Sequence, residues 1–82
     1  MPEEILLIFP STRDAIAGER TLLTANLPVK VMPIPEMLSD QCGICLRLPP
    51  DLLEAGKAAL SAAGITIAGV YRRQHDVVTP VL

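Results

Sequence analysis

The 82-residue sequence predicts one small α+β domain. Three observations point there. Four runs have the length and pattern of strands, two stretches between them carry apolar residues at helical spacing, and prolines or a glycine punctuate the boundaries. The composition agrees. Half the residues are apolar, yet there is one Phe, one Tyr and no Trp, so the core has to be aliphatic. Such a core suits helices on a sheet better than a β-sandwich. A chain this short buries little more than ~60% of its unfolded surface, so the core is also thin.

The elements follow in order. Ile5-Leu6-Leu7-Ile8-Phe9, closed by Pro10, reads as a strand buried on both faces and therefore central in its sheet. Ser11 and Asp14 then have capping-box spacing, with Thr12 as an alternative N-cap. Ala15, Ile16, Leu22 and Leu23 form the apolar stripe of the first helix, which Asn26 can end in a left-handed conformation. Val29 to Met32 is a second strand, halted by Pro33-Ile34-Pro35. Residues 33 to about 43 therefore form a loop that delivers the chain to Cys42. Ile44, Leu46 and Leu48 alternate with Cys45 and Arg47 in a third strand. Pro49-Pro50-Asp51 opens a second helix, with Leu52, Leu53, Ala55, Ala59, Leu60 and Ala63 as its apolar face and Gly64 as its C′ glycine. Ile65 to Tyr71 is the fourth strand. Residues 74–82 lack periodicity and are expected to be a flexible tail after a domain of residues 1–73.

The order βαββαβ consists of two similar βαβ halves. Interleaved, they give a ferredoxin-like sandwich: a four-stranded antiparallel sheet with both helices on one face.

Charge and hydropathy exclude several roles. The net charge is −2, without the basic footprint of a nucleic-acid binder. No apolar run approaches the ~20 residues that span a bilayer. An acidic start, Glu3-Glu4, is unlike a signal peptide, so a cytoplasmic location is expected.

In a reducing compartment Cys42-Gly43-Ile44-Cys45 reads as catalytic or metal-binding rather than as a staple. The topology should bring Cys42 to the rim that holds the Ser11-Thr12 helix start, whose N–H groups and partial positive charge favour a thiolate. Gly43 would let the backbone turn or approach a ligand, and Arg47 adds a cation on the face of Cys45. The competing reading is that buried cysteines merely pack. His75 stands alone, so one chain lacks four zinc ligands, and no cofactor is expected.

Phe9-Pro10-Ser11-Thr12 with Ala15 and Glu19, Val31 to Pro35, Cys42-Gly43-Ile44-Cys45-Leu46-Arg47, Gly64-Ile65 and Gly69-Val70-Tyr71 together resemble one family. It is the selenium/sulfur carrier protein-like family, and the resemblance runs from about Ile5 to Arg72. The resemblance implies a carrier role for Cys42 first, since the position of Cys45 varies in the family pattern.

The leading expectation is thus a sulfur or selenium carrier, a shuttle more than a true enzyme. Cys42 would hold a persulfide or selenopersulfide, and Cys45 would release it as a resolving thiol. Its partners would be donor and acceptor proteins docking on the rim or on the open sheet face beside Leu6 or Leu7, a face through which a homodimer would also form. The alternatives are a thiol–disulfide switch, a zinc-holding dimer through Cys42 and Cys45, and a non-catalytic interaction domain.

Overall fold

The computed structural model describes residues 3–38 and 43–81. Its elements are β1 (Glu4–Ile8), α1 (Thr12–Thr24), β2 (Lys30–Pro33), a 3₁₀ turn (Glu36–Leu38), β3 (Ile44–Leu48), a second 3₁₀ turn (Pro50–Leu52), α2 (Leu53–Ala62), β4 (Gly69–Gln74) and β5 (Val77–Pro80). All five strands join one sheet in the order β2-β3-β1-β4-β5, and every neighbouring pair is antiparallel.

The α+β class with two helices is as expected, but the sheet has five strands where a four-stranded ferredoxin-like sheet was expected. The fifth comes from the segment read as a tail. Gln74 pairs with Val77 across a two-residue turn, and Arg72 pairs with Thr79. His75 takes the positive φ, 57°, that tight hairpin turns require. Pro80 lies on an edge strand, where a missing N–H is tolerated. The fourth strand is also displaced, beginning at Gly69 rather than Ile65, and residues 65–68 are its approach.

Both helices end alike. Asn26 (φ 64°) and Gly64 (φ 75°) occupy the left-handed C′ position. The Leu27 and Ile65 amides donate to the carbonyls of Leu22 and Leu60, completing Schellman motifs at corresponding points of the two halves.

Both helices pack on one face of the sheet, where Ala15, Leu22 and Leu60 meet Ile5, Leu7, Phe9, Leu46 and Leu48. Along α1 the buried residues are Ala15, Gly18 and Leu22; Ile16 and Leu23, expected in the core stripe, are each 50% exposed. Small residues at the contact let the helix lie close to the sheet, where the Phe9 ring fills the space beside Gly18. The other face has its own core of Leu6, Ile8, Ile34 and Cys45, flanked by Met32, Leu38 and Tyr71. Around Leu6 this face is therefore not the open one expected. Ile34 and Leu38 of the β2–β3 connection cover it, and both Leu6 and Leu7 are fully buried.

Candidate functional site

Pairing of Ile8 with Gly69 and of Pro33 with Ile44 brings the end of β1, the end of β2 and the starts of β3 and β4 to one rim. The chain leaves β1 there through Pro10 into α1. Ser11 is the N-cap: its Oγ accepts the Asp14 amide at 3.1 Å and also lies 3.1 Å from Asp14 Oδ2. That side chain is occupied as a cap. Thr12 follows as the first, exposed residue of α1.

On the same rim the β2–β3 connection is drawn together at its base. The Ile34 amide donates to the Gly43 carbonyl at 3.2 Å, one step beyond the Pro33–Ile44 pair. The segment 34–38 folds back under the sheet from this base. Gly43 is exposed, and a Cβ added there would meet none of the described residues within 4 Å, its chain neighbours aside. Cys42, the leading candidate, lies outside the described residues, as do Ser39, Asp40 and Gln41. The Cys42–Cys45 relation therefore rests on their spacing in the chain.

Cys45 is 0% exposed, three residues into the chain from Cys42. Its Sγ points to the face away from the helices, 4.0 Å from the Pro33 carbonyl, among Leu6, Ile8 and Ile34. Period-two alternation put it there, because Ile44 and Leu46 take the helix side. Arg47 shares that face but serves the opposite end of the sheet. Its Nη1 is 2.7 Å from Glu4 Oε2, while Arg73 donates through Nε (3.0 Å) and Nη2 (2.5 Å) to Glu4 Oε1. One carboxylate thus ties β3, β1 and β4 together. Arg47 is committed to Glu4 rather than to the rim of Gly43.

Glu4 and Arg73 escaped the sequence reading, because only the strand register shows that they meet. Ile34 and Leu38 escaped it too. Isolated apolar residues in a proline-rich loop are the one signal that the loop folds onto the sheet. Among the described residues no group of His, Cys, Asp and Glu has the makings of a metal site, and His75 sits exposed in the β4–β5 turn. A groove of about 440 Å³ with Lys30, Arg47, Glu3, Pro49 and Asp51 in its walls lies at the end of β3 remote from Gly43. No helix is long and apolar enough to cross a membrane, among the described residues.

Neither the curated proteins nor the solved structures contain a match to the chain. Residues 4–72 do match a family, a span that runs from β1 through α2 and takes in most of β4. The chain belongs to the family described as "Putative Se/S carrier protein-like".

Proposed function

We propose that the protein carries sulfane sulfur, or selenium, on Cys42 and hands it to an acceptor protein. In loading, the Cys42 thiolate attacks the terminal sulfur of a persulfide on a donor enzyme. The donor's S–S bond breaks, its cysteine leaves as a thiolate, and Cys42 becomes a persulfide with no net oxidation. Selenium would move in the same way as a selenopersulfide. The observation that carries this reading is the exposed Gly43 beside Cys42 in sequence, on the rim where α1 begins, in a chain of the carrier-like family. A helix N-terminus at that rim favours the thiolate, although Ser11 already takes one of its N–H groups.

Release through Cys45 is a second step of the proposal. The Cys45 thiolate would attack the inner sulfur of loaded Cys42, expelling hydrosulfide and leaving a Cys42–Cys45 disulfide for a cellular dithiol to reduce. Burial of Cys45 under Ile34 and Leu38 means that this step waits for the cover to lift. Such thiol chemistry fits a reducing, cytoplasmic setting. The strand order β2-β3-β1-β4, taken without β5, supports reading the frame as a ferredoxin-like unit with one strand added.

Mass spectrometry after incubation with a cysteine desulfurase and cysteine tests the loading step. The expected result is one sulfur added to the wild-type chain, mapped to Cys42, and none on Cys42→Ala. An unmodified wild type, or equal gain on the variant, removes the carrier reading.

A further inference from the structure

The seven lysines and arginines divide into two groups. Arg47 and Arg73 pair with Glu4, Arg72 with Glu3, and Lys57 with Glu54. Among the described residues Arg13, Arg20 and Lys30 have no ion pair. Two of these three stand on the outer face of α1, seven residues apart, and the two half-exposed aliphatics Ile16 and Leu23 repeat at the same interval. Seven residues is nearly two helical turns, so the Arg13–Ile16 pair recurs as Arg20–Leu23 about 10 Å further along one face. The acids of α1, Asp14 and Glu19, are half-buried, and no exposed position of the helix carries a negative charge. In a chain of net charge −2 this face is locally positive and apolar.

Such a face calls for a cover. We propose that the outer face of α1 is the docking surface for the enzyme that loads Cys42, and that this enzyme presents an apolar patch flanked by carboxylates. The proposal rests on the carrier reading and adds to it the place and chemistry of the donor contact. α1 starts on the rim of Gly43, so a protein seated over Arg13 and Ile16 has its edge at that rim. A second copy of this chain is a poor occupant. A two-fold contact through this face would set Arg13 and Arg20 against their own copies. A membrane is a poor one too: two large apolar side chains on a 13-residue helix, whose other face is spent on the core, give little to insert.

The experiment compares two ways of loading the same thiol. Wild type, Arg13→Glu/Arg20→Glu and Ile16→Ser/Leu23→Ser are each charged with a cysteine desulfurase plus cysteine, and separately with inorganic polysulfide, and sulfur on Cys42 is followed by mass. Circular dichroism and urea midpoints establish that the variants are folded; all four positions are exposed, so small changes are expected. The expected result is enzymatic loading slowed about tenfold or more in the charge-reversed variant, with polysulfide loading unchanged. Raising the salt should slow wild type toward the variant. Equal enzymatic rates in all three proteins overturn the docking proposal and leave the carrier reading intact. A wild type that takes sulfur from polysulfide but not from the enzyme overturns the docking proposal together with the carrier reading. Loss of both routes in wild type overturns both readings. Binding of wild type, but not the variant, to vesicles of anionic lipid would assign the face to a membrane, and dimerisation abolished by the variant would assign it to a second copy; either result overturns the proposal.

Discussion

Glycine carries opposite meanings at two positions. At Gly18 an added Cβ would lie 3.0 and 3.1 Å from the Phe9 ring and 3.4 Å from a Leu46 methyl. The ring is buried and cannot swing aside. Alanine gains about 1 kcal/mol of helix propensity, whereas overpacking a core costs about 1–3 kcal/mol. Gly18→Ala should therefore destabilise by about 1 kcal/mol, read as a lower urea midpoint with unchanged m. At Gly43, which is exposed, the same methyl meets none of the described residues beyond its chain neighbours. Gly43→Ala should move stability by no more than about 0.5 kcal/mol. Any fall in sulfur loading of that variant then reports access to Cys42 and not folding. A Gly18→Ala protein at least as stable as wild type would refute the close-approach account of α1.

Among the elements, the lower end of the sheet is held by charge. Glu4 on β1 bridges Arg47 on β3 and Arg73 on β4. Glu4→Gln would leave two guanidinium groups facing each other without their anion. The groups are partly exposed, so the expected loss is about 1 kcal/mol at low salt, shrinking as salt screens the repulsion. Denaturation at two salt concentrations checks it, and a salt-independent loss would mean packing rather than charge. Little of this contact was legible in the sequence, since register is a property of pairing. Elements with a local signal were legible. The third strand ran from Ile44 to Leu48 as its alternation implied, and Ser11, Asn26 and Gly64 capped the helices. Elements without one were not. The β4–β5 turn uses His75-Asp76 where Asn-Gly or Asp-Gly would have announced a hairpin, and Ile16 and Leu23 looked like core because a helical stripe does not reveal which edge meets the sheet. Cys42 was prominent in sequence, but it falls outside the described residues, and its chemistry is a matter for the loading experiments.

At the scale of the whole molecule, one sheet has two cores. The helices close the first, and the short segment 34–38 closes the second over Leu6, Ile8 and Cys45. A cover of one 3₁₀ turn has few contacts to lose, so it should open far more often than the domain unfolds. Cys45 reports that opening. In a Cys42→Ala background, alkylation of native protein by iodoacetamide should be slow compared with the unfolded chain, because the target is fully buried. Ile34→Ala removes much of the cover's apolar grip, a change worth about 2 kcal/mol, and should speed Cys45 alkylation about tenfold or more. Val29→Ala is the matched control. Val29 is buried on the helix side, so its truncation lowers global stability while leaving the cover in place. If both variants accelerate alkylation equally, Cys45 is exposed only by global unfolding, and its part as a resolving thiol becomes untenable. If Ile34→Ala alone does so, the segment that leads to Cys42 also governs access to Cys45, and hydrosulfide release from loaded protein should quicken when that variant is made with both cysteines present.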